Sequence, residues 1–265
     1  MLTRDLSNEA YHASSAISKS GLDLIARSPA HFAFRAPSAP SRAMEMGTAI
    51  HTALLEPDRY ASEYVTVDCE DRRASAYKEA VKVHGSERVL TRAESDKIGG
   101  MSASVQGNPH AQALLKHDFA ATEVSILTVD PETGVNVKCR FDLLAGNKAL
   151  DLKKTQDVRP DAFAKSVANY RYMVQAAFYT DVYRWETGME LEAFGFLVVE
   201  EEMPHASAIY VLDDDAIQYG RKLYRRDLNR YADCLNANEW PSVDQTPQIL
   251  SLDRKSTRLN SSHRC

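Results

Sequence analysis

Two aspartates and a lysine, Asp142, Asp151 and Lys153, lie on neighbouring stretches of sequence that are typical of strands. Residues 135–143 and 149–153 alternate apolar and polar side chains, and the short connection between them predicts an antiparallel hairpin. Because successive side chains of a strand point to opposite faces, Asp142 lies on the polar face of the first strand. Asp151 and Lys153 share the polar face of the second, about 7 Å apart. Two carboxylates and an ammonium group are therefore expected on one side of a sheet.

The register of this hairpin brings the two aspartates face to face. Whether the turn holds two residues or four, Leu144 pairs with Ala149, and Asp142 then lies opposite Asp151. Directly opposed side chains have Cβ atoms about 4.5–5.5 Å apart, and like charges placed so destabilise the pair unless something neutralises them. A hard divalent cation such as Mg²⁺ or Mn²⁺, which accepts carboxylate and phosphate oxygens, meets that requirement.

Lys153 adds a positive charge to the same face. It would orient or help deprotonate a water, or stabilise charge that develops on phosphorus. The tripeptide Asp-x-Lys by itself is more typical of a solvated, salt-bridging strand, and it is the opposed Asp142 that favours chemistry. The three residues together favour phosphodiester hydrolysis.

Helices and further strands surround the hairpin, and their apolar spacing changes between helical and strand periods along the chain. The predicted elements are a serine-capped helix ending near residue 28, a loop at 36–41, a helix at 44–55, helical stretches within 70–117 broken at Gly99-Gly100, strands at 123–129, 135–143 and 149–153, one long helix at 160–188, strands at 191–199 and 206–212, and a last helix opened by Asp213. This order predicts an α+β fold with a central mixed sheet, in which helices flank an antiparallel catalytic hairpin.

The composition limits the classes of protein that fit. The 265 residues are 44% hydrophobic and 26% charged, which is ordinary for a globular protein and excludes a collagen-like or disordered class. Apolar runs fall far short of the ~20 residues of a membrane-spanning helix, and the start shows no apolar signal core, so we expect a cytoplasmic protein without a membrane partner. The four cysteines are scattered, which argues against disulfides, zinc or an iron–sulfur cluster.

Charge and the end of the chain each need one qualification. A net charge of −5 argues at face value against nucleic-acid binding, but acidic residues that hold a metal attract phosphate through it. Residues 253–265 have no periodicity and resemble translated vector sequence, with a native basic tail as the alternative. We therefore predict a single domain over residues 1–252.

Several short motifs, spread over residues 10–252, form a more specific signal together than any of them does alone. They are Tyr-His at 11–12, Ile-Ser-Lys-Ser-Gly-Leu at 17–22, Ser-Pro-Ala-His at 28–31, Gly-Thr-Ala-Ile-His-Thr-Ala-Leu-Leu-Glu-Pro at 47–57, Lys-Cys-Arg-Phe-Asp at 138–142, Asp-Leu-Lys at 151–153 and Gln-Ala-Ala-Phe-Tyr at 175–179. In these motifs the chain resembles the RecE-type exonucleases (the exonuclease VIII catalytic domain), which belong to the RecB-like branch of the PD-(D/E)XK nuclease superfamily.

The resemblance implies a role for each matching residue. It makes His51, Asp142 and Asp151 metal ligands, adds the carbonyl of Leu152 as a further ligand, and makes Lys153 the catalytic lysine. Without the resemblance, a helical histidine such as His51 is more often a packed or surface residue than a ligand.

Other matching positions would support the site. Glu123 matches an acidic position that would bind a second metal or orient water, and as a residue at the start of a strand it is equally typical of a surface charge. Gln175 and Tyr179, four residues apart on one helical face, match a motif that supports the site and contacts DNA, with helix packing as the alternative. Basic residues that would contact the DNA backbone are Arg140, Lys165 and Arg171; a further cluster at 221–226 is at least as typical of a solvated helix face.

As a whole, the resemblance implies an Mg²⁺-dependent exonuclease that degrades linear double-stranded DNA from 5′ to 3′. It further implies a 3′ strand left for an annealing partner of the RecT type, and a homo-oligomeric ring, commonly a tetramer. One departure is Lys154, where the family has a small hydroxyl residue; alternation points it away from Asp151 into a setting where a charge needs solvent or an acidic partner. If Lys154 distorts the site, the alternative is a catalytically weak DNA-end-binding or recombination-scaffold protein.

Overall fold

The computed structural model describes residues 1–36, 40–244 and 246–247. The predicted tail at 253–265 and part of the predicted loop at 36–41 lie outside them. The strands are β1 (Leu2–Thr3), β2 (Val65–Val67), β3 (Val89–Thr91), β4 (Ala120–Val129), β5 (Asn136–Ala145), β6 (Lys148–Thr155), β7 (Ala193–Glu200) and β8 (Ser207–Val211). The helices are α1 (Asn8–Ala13), α2 (Lys19–Arg27), α3 (Pro29–Ala33), α4 (Arg42–Leu55), α5 (Pro57–Glu63), α6 (Ser75–His84), α7 (Arg92–Gly107), α8 (Pro109–Leu115), α9 (Pro160–Asn169), α10 (Tyr172–Thr187) and α11 (Asp214–Ala237).

A mixed sheet with the strand order β1-β4-β5-β6-β7-β8 runs through the centre of the fold. Strands β6 and β7 are parallel, and the other neighbouring pairs are antiparallel. A parallel pair needs a crossover, which α9 and α10 supply between β6 and β7. The α+β class, the mixed sheet and the antiparallel hairpin that the sequence predicts are confirmed.

Helices cover both faces of the sheet and bury two apolar clusters against it. One cluster joins the sheet to α2, α9, α10 and α11, and its largest side chains include Phe141, Phe178 and Tyr224. The other joins the opposite face to α4, α7 and α8, and it includes Ile50 and Met101. Apolar burial on both faces fixes the sheet between two helical layers, which is the main source of stability in such a fold.

Two predictions about helix continuity are wrong. The segment 160–188 forms two helices rather than one, because Arg171 adopts a left-handed conformation (φ 54°, ψ 44°) between α9 and α10. Conversely, Gly99-Gly100 does not break α7, which continues from Arg92 to Gly107. Gly100 is needed for packing, since a Cβ there would lie 2.4 Å from the ring of His205.

The sequence did not indicate β1 or the small parallel sheet of β2 and β3. These strands have two or three residues each, which is too short for an alternating pattern. The three cysteines within the described residues, Cys69, Cys139 and Cys234, are free thiols. Among the helices that the structure describes, none combines the length and apolar character needed to cross a membrane.

Candidate active site

The site begins at an irregularity between β4 and β5. Thr122 pairs with Leu143 and Val124 pairs with Phe141, so Glu123 lies opposite Asp142. Glu123 has a positive φ of 53°, which few non-glycine residues adopt, and its pairing with Asp142 is missing from an otherwise continuous ladder. Two acidic side chains are thereby released from the regular sheet at the same level.

The irregularity also changes which face the neighbouring side chains occupy. Phe141 packs in the cluster under α10, whereas Leu143, two positions further on, packs in the cluster under α4 and α7. The strict alternation expected for residues 135–143 is therefore wrong at its end. The physical reason is the left-handed residue in the partner strand, because a positive φ interrupts the two-residue period of a ladder.

The hairpin of β5 and β6 has the register that its turn predicts. Leu144 pairs with Ala149, but the ladder ends at Leu143 and Leu150, one pair before the two aspartates. In place of a backbone bond, Oδ2 of Asp142 accepts a hydrogen bond of 2.7 Å from the N–H of Leu152. Asp142 and Asp151 thus lie near each other where β6 leaves β5 and continues along β7.

Asp151 is buried, with only 4% of its surface exposed. Its Oδ1 accepts a hydrogen bond of 2.5 Å from Nε2 of Gln175 on α10, and its Oδ2 lies 2.6 Å from Nζ of Lys153. The geometry of the second contact is that of an ion pair, and within the described chain Oδ2 has no hydrogen bond of good geometry. The ion pair offsets the cost of burying this charge, and Oδ2 retains a lone pair that a ligand could use.

Lys153 lies between acids and an aromatic ring. Its ammonium is 4.6 Å from the centre of the Tyr172 ring, at the start of α10. Burial opposes the charged form, but the carboxylates of Asp151 and Asp142 outweigh it and raise the pKa of Lys153. The lysine is therefore a cation at neutral pH. The sequence pattern gave no reason to single out Tyr172.

His51 reaches the same point from α4, on the opposite side of the sheet from α10. Its Nδ1 lies 3.4 Å from Oδ2 of Asp142, and its ring is within hydrogen-bonding reach of the Leu152 carbonyl. Ala49, Ile50 and the residues of the next turn hold α4 against the sheet and so fix the histidine. The structure thus brings His51 to Asp142 and to the Leu152 carbonyl, whereas both oxygens of Asp151, the remaining member of the expected ligand set, face Gln175 and Lys153.

The donor atoms of His51, Glu123 and Asp142 all lie within 4.8 Å of one another. Burial, then the carboxylate of Asp142, raises the pKa of Glu123 to about 7. Burial, then the charge of Asp151, also raises the pKa of Asp142 well above its usual range, while burial lowers the pKa of His51 despite the nearby acids. Two carboxyl groups that repel each other when ionised thus lie beside a neutral imidazole. A divalent cation would remove this repulsion, and the oxygen-rich donor set suits a hard cation.

Two clefts meet at these residues. The first, of about 640 Å³, is lined by His51, Glu123 and Asp142 together with Gly47, one turn before His51. We call it the histidine cleft. The second, of about 520 Å³, is lined by Lys153, Gln175, Tyr172 and the start of α2, and we call it the lysine cleft. Arg140 lines both, so the acidic and basic halves of the site are reached from adjoining openings.

The basic residues expected on DNA differ in their availability. Arg140 uses every guanidinium nitrogen on protein oxygens, among them Ser125 Oγ at 2.7 Å and Asn8 Oδ1 at 2.8 Å. Arg171 pairs with Asp23 and Asp227. Of the three, only Lys165, on α9, is exposed. The role of these side chains on DNA stays a prediction.

Tyr179 and Lys154 also have clear positions. Tyr179 is packed edge-on against Phe141, with ring centres 5.3 Å apart, and burial raises its pKa well above the usual range. Lys154 points away from the site, as alternation predicts, and its ammonium lies 2.6 Å from Glu201 in a half-buried pair. Because the ammonium has both an acidic partner and access to solvent, Lys154 leaves the geometry of Asp151 and Lys153 intact.

A mixed sheet between two helical layers, whose adjacent strands carry Asp142 and Asp-x-Lys at their point of divergence, has the fold of the PD-(D/E)XK nuclease superfamily. The family described as "PDDEXK-like domain of unknown function (DUF3799)" matches residues 18–247. The chain belongs to this family.

Comparison with solved structures supports the fold. A crystal structure of a "Putative exonuclease" from Eubacterium rectale superposes with a TM-score of 0.65 at 14% sequence identity, over 98% of this chain and 100% of that one. At that identity the likeness concerns the fold alone. The structure of SSO0001 gives a TM-score of 0.30 at 15% identity, over 72% of this chain and 87% of that one, a value too low to support a shared fold. The chain matches none of the curated proteins with which it was compared.

Proposed function

We propose that the protein is an Mg²⁺-dependent exonuclease that degrades linear double-stranded DNA from an end. The observation that carries the proposal is the convergence of His51, Glu123, Asp142, Asp151 and Lys153 at one irregular point of the sheet. Oδ2 of Asp151 faces the Lys153 ammonium at 2.6 Å and has no hydrogen bond besides this ion pair, so it keeps a lone pair that a ligand could use.

The metal would be held by His51, Glu123 and Asp142, with the Asp151 carboxylate and the Leu152 carbonyl next to them. A divalent cation here would supply positive charge against a phosphodiester and would lower the pKa of a water. The side chains do the rest of the positioning. Gln175 donates to Oδ1 of Asp151 and so leaves Oδ2 directed at Lys153.

Lys153 acts as a cation rather than as a base, because the neighbouring carboxylates raise its pKa. Its ammonium would lie against a non-bridging oxygen of the phosphate and stabilise the negative charge that grows in the transition state. The Tyr172 ring beneath it restricts where the ammonium can move. The lysine cleft then admits one side of the phosphate and the histidine cleft the other.

The finer parts of the proposal rest on the resemblance to RecE-type exonucleases. They are the 5′ to 3′ polarity, the 3′ strand passed to an annealing protein of the RecT type, a homo-oligomeric ring with a tetramer favoured, and Mn²⁺ as a substitute for Mg²⁺. The net charge of −5 is compatible with them, since a ring can place its basic side chains in an inner channel.

The test is digestion of linear duplex DNA with a 5′ phosphate, labelled at either the 5′ or the 3′ end, in Mg²⁺ and in EDTA. We expect shortening in Mg²⁺ only, release of the 5′ label first, and no attack on covalently closed circles. Asp151→Asn and Lys153→Met should each lower the rate at least about a hundredfold, because each removes charge used at the phosphate.

Matched controls are Asp161→Asn and Lys78→Met, which make the same chemical changes at exposed positions on α9 and α6. The site is wrong if the two site variants digest DNA as fast as these controls. If the parent binds DNA ends but cleaves none, the alternative of a recombination-scaffold protein is the better description.

A further inference from the structure

A column of stacked aromatic rings runs out of the core beside the catalytic lysine. Phe196, on β7, is fully buried, and its ring stacks on Tyr172 with centres 5.3 Å apart and planes 28° apart. Tyr172 in turn stacks on Tyr170, with centres 5.6 Å apart and planes 25° apart. Tyr170 is 62% exposed, so the column ends in solvent.

The exposed end of the column is held firmly for a surface residue. The carbonyl of Tyr170 accepts a hydrogen bond of 2.7 Å from Nζ of Lys19, and its N–H donates to the carbonyl of Ser166. The next residue, Arg171, is anchored by ion pairs to Asp23 and Asp227. A tyrosine on a fixed backbone loses little conformational entropy when a flat ligand stacks on it.

The surroundings of the column favour a nucleobase as that ligand. The ammonium of Lys153 lies over the Tyr172 ring at 4.6 Å, and that of Lys19 lies 5.9 Å from the same ring. Both cations border the ring beneath the exposed Tyr170, and Lys19 also pairs with Asp23 at 2.7 Å. Phosphate beside such lysines, with a base on the neighbouring exposed ring, is the arrangement that binds single-stranded nucleic acid. An apolar peptide would gain nothing from these two lysines.

We propose that Tyr170 stacks on a base of the strand whose phosphodiester lies at Lys153. This inference rests on the proposed nuclease function and adds a base-binding position to it. A base inside a duplex is covered on both faces by its neighbours, so Tyr170 can receive only an unpaired or terminal base. The residue would therefore favour frayed or single-stranded ends.

Binding of a 5′-phosphorylated single-stranded oligonucleotide, measured by anisotropy in Ca²⁺ to suppress cleavage, tests the proposal. A series of oligonucleotides carries one abasic nucleotide at successive positions from the 5′ end. Tyr170→Ala should weaken binding of the intact oligonucleotide about tenfold, whereas Tyr170→Phe should bind like the parent, because stacking needs the ring and not the hydroxyl. At one position, the abasic nucleotide should weaken the parent to the level of Tyr170→Ala and leave that variant unchanged.

The matched control is Tyr219→Ala, a tyrosine that is 56% exposed on α11. It should bind the whole series like the parent. The inference is overturned if Tyr170→Ala binds the intact oligonucleotide like the parent. It is also overturned if each abasic nucleotide weakens binding to Tyr170→Ala and to the parent by the same factor, because the weaker binding of the variant would then come from an altered structure. If the parent cleaves duplex DNA and the Tyr170 variants bind like the parent, only this inference is refuted and the proposed function stands. A parent that neither binds nor cleaves DNA refutes the proposed function as well.

Discussion

The acidic cluster predicts that the metal-free protein loses stability between pH 5 and pH 8, and that Glu123 accounts for a defined share of the loss. The pKa of Glu123 is raised from 4.5 to about 7 by burial and by Asp142. Between these two values the folded state keeps a proton that the unfolded state has released. The contribution to stability is therefore present below pH 4.5 and is lost as the pH rises through about 7.

The size of the effect follows from 1.36 kcal/mol for each unit of pKa shift, which gives about 2–3 kcal/mol for Glu123 between pH 5 and pH 8. Asp142 acts in the same direction, since its pKa is also raised, and His51 acts in the opposite direction, because a lowered pKa makes stability fall as the pH falls below 6.5. The contributions of Asp142 and His51 cancel to first order when the parent is compared with Glu123→Gln, because both proteins retain these two residues.

Urea unfolding followed by circular dichroism at pH 5 and pH 8, with EDTA or saturating Mg²⁺, measures the prediction. In EDTA the parent should lose about 2–3 kcal/mol more than Glu123→Gln on going to pH 8. In Mg²⁺ the difference should disappear, because a bound cation favours the ionised carboxylate. Equal losses for the two proteins in EDTA would refute the argument that Glu123 lies in a desolvated acidic cluster.

Three further variants separate folding from activity. Gly47→Ala should stabilise α4 by about 0.5–1 kcal/mol, since nothing lies within 4 Å of an added Cβ, yet it should slow cleavage because the methyl group enters the histidine cleft. The control Gly99→Ala, in the interior of α7 and equally open, should give the same gain in thermal unfolding and keep the activity of the parent. If both variants cleave DNA like the parent, DNA does not approach α4. Lys153→Met should lose cleavage but should still be stabilised by Mg²⁺ in thermal unfolding. In EDTA its unfolding free energy should fall by about 3–5 kcal/mol, because the buried Asp151 carboxylate loses its cation. If Mg²⁺ does not stabilise the variant, the proposed metal ligands are wrong. Lys154→Thr should change the unfolding free energy by less than about 1 kcal/mol and leave the cleavage rate near that of the parent, and a tenfold gain in rate would mean that Lys154 disturbs the site.

The parts of the site set by local geometry could be predicted from the sequence. The turn between β5 and β6 fixes the pairing of Leu144 with Ala149, and counting back along both strands brings Asp142 near Asp151, although the paired ladder itself ends at Leu143 and Leu150. The position of Glu123 could be predicted, but its positive φ could not, because glutamate has no preference for that region. Its conformation depends on tertiary contacts, and with it the exchange of faces between Phe141 and Leu143.

The break between α9 and α10 shows the same limit over a longer distance. The apolar spacing continues through it, so the pattern predicts one helix over 160–188. What stabilises the left-handed Arg171 is its pairing with Asp23 of α2 and Asp227 of α11, which lie far away in the sequence. This break begins α10 at Tyr172 and so places Gln175 at Asp151. A hydrophobic period records which side of a helix is buried, and it is silent about partners that redirect the chain.

The ion pairs of α11 also change how the charge of this protein should be interpreted. Arg221 pairs with the buried Asp181, Arg225 with Asp130 and Arg226 with Asp227. Removing Arg225 would leave the buried Asp130 without a cation, whereas Asp181 would keep Arg184 and Asp227 would keep Arg171. The three arginines of α11 are thus engaged by buried carboxylates and are poor candidates for DNA contacts. A count of basic residues therefore overstates the surface available to phosphate. If the proposed function holds, we expect attraction for DNA to come chiefly from a divalent cation at the acidic cluster and from the lysines that border the lysine cleft, and metal-independent binding to be weak.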